Sequence, residues 1–270
     1  MKRGAAAAKI NLALVVGPRR ADGKHELLTV YQRITLADRL EVRRGERNAV
    51  TGFADDTLVA RALDALTARD DTRLTVRIDK RIPVAAGLGG GSADAAGALA
   101  LGNELLSEPV PAERLDAIAG ELGADVPFFL RGGPQLGAAD GTELRPLDLP
   151  QDYWILLVVP HREQKSSTAD VYARFDARGG EEGFHERAAA LLSALERVRR
   201  PRDLAALPPN DLASSPFADE LRELGAFRAD VTGAGPAVYA LFLHRAPAVE
   251  AQRRLRAHGR TWLAAPAWYV

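Results

Sequence analysis

The chain reads as an α+β protein of two domains, and three features of the sequence carry that reading. Stretches that alternate apolar and polar residues, the mark of half-buried strands, are interleaved with stretches of helical periodicity. A strand, a glycine-rich loop and a helix follow one another directly between residues 74 and 106. A second set of strands and helices opens at Tyr153, after Leu147-Asp148-Leu149-Pro150, so the expected domains are 1–150 and 151–270. With 270 residues, 47% of them apolar, the chain has enough material for both cores.

The elements follow in order. In the first strand Ile10, Leu12, Leu14 and Val16 share one face, while Lys9, Asn11 and Ala13 share the other. Arg33 to Arg43 makes a second strand on Ile34, Leu36, Leu40 and Val42, Thr57 to Ala68 a helix, and Leu74 to Asp79 a third strand. Ala93 to Leu106 is an alanine- and leucine-rich helix with Ser92 as its cap. Pro111 suits the first turn of the next helix, whose apolar stripe of Leu115, Ile118, Ala119 and Leu122 ends at Gly123. Val126 to Leu130 reads as a short apolar strand before the turn Arg131-Gly132-Gly133-Pro134. Beyond the boundary come a buried strand over Tyr153 to Val159, a helix around Glu186 to Arg199 and a strand around Ala237 to Leu243. The last element is an amphipathic helix over Pro247 to His258, with Gly259 past its end.

Composition removes several classes of function. Basic and acidic residues balance to a formal charge of zero, so no field draws the chain to nucleic acid or an anionic membrane. The absence of cysteine excludes disulfides, thiolate catalysis and thiolate metal sites. Met1 to Ala8 is far shorter than the apolar region of a secretion signal, and no run reaches the length of a membrane span. The expected location is the cytoplasm.

The most informative stretch is Pro83-Val84-Ala85-Ala86-Gly87-Leu88-Gly89-Gly90-Gly91-Ser92-Ala93-Asp94-Ala95-Ala96. Glycines let backbone N–H groups turn toward a ligand, and a following helix start adds free donors and a positive dipole end. Together they make an anion site, and polyphosphate is the anion that fits. No Gly-Lys-Ser/Thr closes the loop, so it is not a Walker A motif; Ser92 stands where a dinucleotide fingerprint needs its third glycine. Nothing downstream reads as His-Arg-Asp or Asp-Phe-Gly, which excludes a protein kinase.

Other residues carry two readings each. Lys2, Lys80 and Lys165 fit solvated positions, but Lys9 lies in an apolar strand beside Asn11. It either drapes its stem over apolar surface or holds a phosphate or carboxylate. Asp125, between Gly123-Ala124 and Val126-Pro127-Phe128-Phe129, either closes an Asx turn or accepts an alcohol proton in phosphoryl transfer. Asp140 beside Gly141 belongs to a turn, and Val231-Thr232-Gly233-Ala234-Gly235-Pro236-Ala237-Val238 is a second glycine loop, entering a strand.

Taken together, these segments resemble the GHMP kinase superfamily of small-molecule kinases. The Pro83–Ala96 run is similar to its central phosphate-binding motif, and Thr232-Gly233-Ala234-Gly235 to its third motif. Four further stretches resemble the branch whose acceptor is a cytidine diphosphate-linked methylerythritol. They are Ala8-Lys9-Ile10-Asn11-Leu12, Arg20-Ala21-Asp22-Gly23-Lys24-His25-Glu26-Leu27, Leu122-Gly123-Ala124-Asp125-Val126-Pro127-Phe128-Phe129 and Asn210-Asp211-Leu212.

The resemblance implies an N-terminal domain like ribosomal protein S5 domain 2 and a ferredoxin-like C-terminal domain, with the active site in the cleft between them. It implies ATP and Mg2+ as cofactors and Lys9 and Asp125 as the catalytic pair. Pro83, Val84, Ala85, Ala86, Gly87, Leu88, Gly89, Gly90, Gly91, Ser92 and Ala93 would wrap the ATP phosphates, with Ser92 near Mg2+. Asn11, His25, Tyr31, Tyr172, Thr232 and Gly233 would hold the acceptor, His25 reading the cytosine edge and Tyr172 stacking on the base. A monomer or weak homodimer without nucleic-acid or membrane partners is implied; the alternative acceptor is a sugar, homoserine or a mevalonate-type alcohol. Three positions depart from the pattern: Lys24 replaces an aromatic residue, Ala93 a second serine, and Thr232-Gly233-Ala234 a Ser-Gly-Ser.

Overall fold

A long antiparallel hairpin organises the first half of the chain. The computed structural model describes residues 1–53, 56–161 and 167–267; Lys165 lies outside the described residues. Strands β1 (Lys2–Arg19) and β2 (His25–Gly45) pair along most of their length, with Lys9 opposite Arg33 and Asn11 opposite Tyr31. The register shifts between Ala7 and Lys9 and again between Asn11 and Ala13. Bulges of this kind re-aim side chains, and here they flank the two polar residues of the strand.

On its other edge β2 is shared. Its Arg39–Gly45 end takes β4 (Arg73–Asp79), and its Thr29–Tyr31 segment takes β5 (Gln135–Ala138). β3 (Ala49–Thr51) runs parallel to β4, and β6 (Glu143–Pro146) pairs with β5, completing a six-stranded sheet. Helices α1 (Thr57–Leu66), α2 (Gly90–Asn103), α3 (Ala112–Leu122) and α4 (Val126–Phe129) pack with Leu40, Val42, Leu74 and Val76 of that sheet in one core. The alanine-rich α2 sits close against the sheet: a Cβ on Gly97 would stand 2.6 Å from Leu40 Cδ1.

The second half builds a four-stranded antiparallel sheet in the order β10 (Gly259–Ala264), β7 (Trp154–Pro160), β9 (Val238–Phe242), β8 (Arg228–Val231). Helices α7 (Pro216–Glu223) and α8 (Arg245–Leu255) cover one face through Leu156, Val158, Leu221, Phe242 and Leu255. Ile155, Leu157, Tyr239 and Leu241 alternate onto the other face and share a core with Ile10, Leu12, Val15 and Val30 of the first sheet. Helix α6 (Phe184–Leu195) adds Leu191 and Ala194 to it, while α5 (Thr168–Ala177) stands beside β1 through Val171 and Phe175. The fold is α+β, as expected from the sequence.

Several local expectations change. β1 is buried on both faces, so Lys9 and Asn11 are 4% exposed rather than on a wet side. Val126 to Leu130 is not a strand: residues 126–129 make one helical turn, with Pro127 in the place where a missing N–H does no harm. Ser92 is not the cap of α2. Gly89, with a φ of 69°, caps it, and Ser92 falls inside the first turn. Gly259 does more than end a helix; it opens β10. Lys80, expected in solvent, lies between two buried carboxylates.

The two sheets are also linked by polar contacts. The Tyr239 hydroxyl accepts from Arg228 Nε at 2.8 Å and donates to Leu12 O at 3.1 Å, with the ring fully buried. Tyr239→Phe leaves a buried guanidinium N–H and a carbonyl without that partner. It should cost about 1–3 kcal/mol in urea unfolding, and an unchanged midpoint would show that the link carries no stability.

Candidate active site

Lys9 is placed by the bulged segment of β1 with its ammonium inward. Its Nζ donates to Asn11 Oδ1 at 2.8 Å and lies 3.4 Å from Asp125 Oδ2. The Lys9 side chain is 5% exposed and that of Asp125 33%, so the pair has one dry and one open member. Asn11 is fixed in turn: its Nδ2 donates to Thr29 Oγ1 at 2.8 Å, and its backbone N–H donates to Thr232 Oγ1 at 2.9 Å. The Thr29 hydroxyl in turn donates to Ala13 O at 2.8 Å. Lys9 is therefore held by a chain of bonds across two strands and a loop.

Asp125 stands at the N-cap of α4 yet makes no capping bond. Its Oδ1 accepts instead from the Tyr31 hydroxyl at 3.1 Å. The Asx-turn reading of this residue is thus not what the side chain does.

The two glycine loops meet backbone to backbone. Ala237 N–H donates to Ala86 O at 3.2 Å, and Lys9 N–H to Leu88 O at 3.0 Å. Gly87 holds a φ of 82°, and a Cβ there would overlap Thr232 O; one on Gly235 would overlap the Gly87 nitrogen. Only residues without side chains allow this approach. Ala86, Leu88 and Ala93 are buried, whereas Val84 is exposed at the rim.

The loops border a cavity of about 490 Å³ whose lining includes Lys9, Asn11, Asp125, Gly89, Ser92 and Gly233. Past Tyr172 and Asp140 it adjoins a second cavity of about 420 Å³, which reaches Lys24 and His25. Past Ala85 it adjoins a third of about 210 Å³, beside Pro83, Val84, Gly90, Gly91 and Lys80. A long ligand pair can therefore meet end to end over Lys9 and Asp125.

The profile of the GHMP kinases N terminal domain matches residues 57–133, and that of the GHMP kinases C terminal matches residues 187–261. The 4-diphosphocytidyl-2-C-methyl-D-erythritol kinase of Geobacter sulfurreducens is 39% identical, over 96% of this chain and 96% of that protein. The chain belongs to this kinase family. The protein of the same name from Chlorobaculum tepidum is 35% identical, over 94% of each chain. A crystal structure of 4-(cytidine 5'-diphospho)-2C-methyl-D-erythritol kinase superimposes with a TM-score of 0.80 at 31% identity, covering 98% of this chain and 99% of that one. A mevalonate kinase structure gives 0.76 at 14% identity, which shows the shared fold.

In this member of the family, His25 and Tyr172 lie against each other, ring centroids 4.8 Å apart and 28° from parallel. His25 Nε2 is 2.7 Å from Asp176 Oδ1, and Asp176 Oδ2 accepts from Arg19 Nη2 at 2.7 Å. Burial works against the Asp176 charge, but the bonds from Arg19 and His25 hold its carboxyl below its usual range. Burial, followed by the Asp125 charge, pushes the Tyr172 phenol up to about 12. Lys24 pairs with Asp140 at 2.5 Å, so the lysine that replaces an aromatic residue is tied to the turn opposite.

Asp176 was not legible as a site residue; a lone Asp late in a helix gives no signal before its histidine partner is known. The larger omission is Lys80. Its Nζ lies 2.8 Å from Asp38 Oδ2 and 2.5 Å from Asp94 Oδ2, and both aspartates are fully buried. Asp38 Oδ1 also accepts the backbone N–H groups of Arg81 and Ile82, so one cluster fastens both ends of the glycine loop. A signal existed: Asp94 is an isolated charge in an alanine-rich helix, two residues past Ser92.

Asp94 Oδ1 has no partner among the described residues. Burial first, and then the Asp38 charge, push the Asp94 carboxyl from 3.8 up to about 8. Because the folded value exceeds the unfolded one, the folded chain holds the extra proton between these limits, and stability falls as pH climbs from about 4 to about 8. Asp94→Asn, neutral throughout, should flatten that slope in denaturant titrations; equal slopes for the two proteins would show Asp94 to be ionised.

Proposed function

We propose that the chain transfers the γ-phosphoryl group of ATP to the 2-hydroxyl of 4-diphosphocytidyl-2-C-methyl-D-erythritol, in the non-mevalonate route to isoprenoid precursors. The observation that carries the reaction type is the Lys9–Asp125 pair, 3.4 Å apart in a cavity bordered by two glycine loops. The acceptor follows from the relatives named above, which share the chain over nearly its whole length.

In this reading the loop from Pro83 to Ala93 cradles the phosphates with backbone N–H groups and the start of α2. Gly87 and Gly235 serve the contact between the two loops, because a Cβ on either would meet the backbone of the other loop. Mg2+, held by the phosphates and the Ser92 hydroxyl, would neutralise charge on the transferred group when bound. Asp125 orients the acceptor hydroxyl and takes its proton as the oxygen–phosphorus bond forms. The bond from the γ-phosphorus to the bridging oxygen breaks, and ADP leaves with the electron pair. Lys9 balances the charge of Asp125 and of the developing phosphoryl group.

On the acceptor side, Asn11, Thr232 and Gly233 border the diphosphate and hydroxyl, while Tyr172 offers a face to the base. Asp176 engages His25 Nε2, which leaves Nδ1 to address the cytosine edge. The enzyme would work in the cytoplasm as a monomer or weak homodimer; no helix among the described residues is long and apolar enough to cross a membrane.

The test is ADP release with a panel of acceptors: the cytidylyl compound, galactose, homoserine, mevalonate and phosphomevalonate. Turnover with the cytidylyl compound alone is expected, and preference for another alcohol overturns the acceptor. Asp125→Asn should lower turnover about 10²–10⁴-fold while calorimetry still shows ATP binding. Near-normal turnover would remove Asp125 from the reaction.

A further inference from the structure

The two carboxylate oxygens of Asp125 have different partners. Oδ2 faces Lys9, and Oδ1 accepts from the Tyr31 hydroxyl at 3.1 Å. Tyr31 is only 3% exposed. Burial, and after it the charge of Asp125, hold its phenol well above 10, so it stays a donor wherever the enzyme works.

The placement of that hydroxyl is built into the fold. Tyr31 lies in the middle of the first sheet, opposite Asn11 of β1 and Gln135 of β5. Its ring packs on Phe128 at 4.9 Å between centroids, and Lys9 Nζ stands 5.3 Å over its face. Two glycines make the slot. A Cβ on Gly137 would come within 2.6 Å of Tyr31 Cε2, and one on Gly141 within 2.6 Å of the phenolic oxygen itself. Gly141, at a φ of 99° that itself favours glycine, leaves the space beside the phenolic oxygen open.

Asp125 has a competing option. At the N-cap of α4 its carboxylate could turn to the Phe128 N–H, the first available donor because Pro127 has none. A hydrogen bond to Oδ1 from outside the helix keeps it from that capping pose.

We propose that Tyr31, which lines the same cavity as Lys9 and Asp125, is a positioning residue of the phosphoryl transfer. By donating to Oδ1 it fixes the plane of Asp125, so that Oδ2 stays between Lys9 and the reacting hydroxyl. The inference rests on the reading of Asp125 as the carboxylate that orients the acceptor.

The experiment is a double-mutant cycle of Tyr31→Phe and Asp125→Asn, with kcat and both KM values measured, and single turnover used for the slow variants. Tyr31→Phe keeps the ring and should melt near the parent protein. It should lower kcat about ten-fold or more, the size of a lost hydrogen bond to a charged group, with both KM values little changed. In the Asp125→Asn background it should cause little further loss. A raised acceptor KM with kcat intact would make Tyr31 a binding residue, and unchanged kinetics would make it packing only. An equal loss in both backgrounds would show that it acts apart from Asp125. Near-normal turnover of Asp125→Asn alone would instead bring down the underlying reading, a result separate from any failure of Tyr31.

Discussion

The approach of two glycine loops from opposite halves of the chain is the contact on which the rest depends. Gly87 and Gly235 touch through their backbones, and Thr232 reaches past them to hold the Asn11 N–H. Together with the bond from Tyr239 to Leu12 O, this bond ties the second half of the chain to the bulged part of β1, and Asn11 accepts from Lys9. Lys9 in turn binds the first glycine loop through its own backbone, at Leu88 O. The first glycine loop and Lys9 are therefore one structural unit.

Charge in this unit is arranged by burial. Lys9 is dry and Asp125 half-open, so the cation stays put while the carboxylate meets solvent and ligand. Around Lys80 the order is reversed. Two fully buried aspartates share one ammonium, and the hydrogen bonds that Lys80 donates to Asp38 and Asp94 overcome the burial that would lower the Lys80 pKa. Buried charges of this kind add little net stability over an apolar core, but they fix geometry closely. Here they fix the two ends of the first glycine loop.

Legibility in the sequence followed the range of the physics involved. The glycine run, the strand before it and the helix after it are local features, and the structure has them nearly as read. Local pattern failed where tertiary contacts decide. Val126 to Leu130 is apolar enough for a strand, but Pro127 and the packing of Phe128 bend it into a turn of helix. Lys80 looked solvated because its partners are 42 and 14 residues away. The strands β3, β5 and β6 were too short to show a period, and β8 and β10 were hidden beside stronger helical signals. Lys9 and Asp125 carried two readings each until a family resemblance weighted them, and their 3.4 Å separation is not visible in residues 116 positions apart.

The double burial of β1 also bears on how the molecule can move. Ile10, Leu12 and Val15 lie in one core with Ile155, Leu157 and Tyr239 of the second sheet. Swinging the halves apart like jaws would put that whole apolar layer in water, a cost that grows with every square ångström exposed. Traffic of nucleotide and product through the cleft must instead be handled at the rims, where Val84 of the glycine loop and Lys24 of the opposite turn already stand in solvent. The shared apolar layer makes the two sheets one frame rather than two jaws on a hinge.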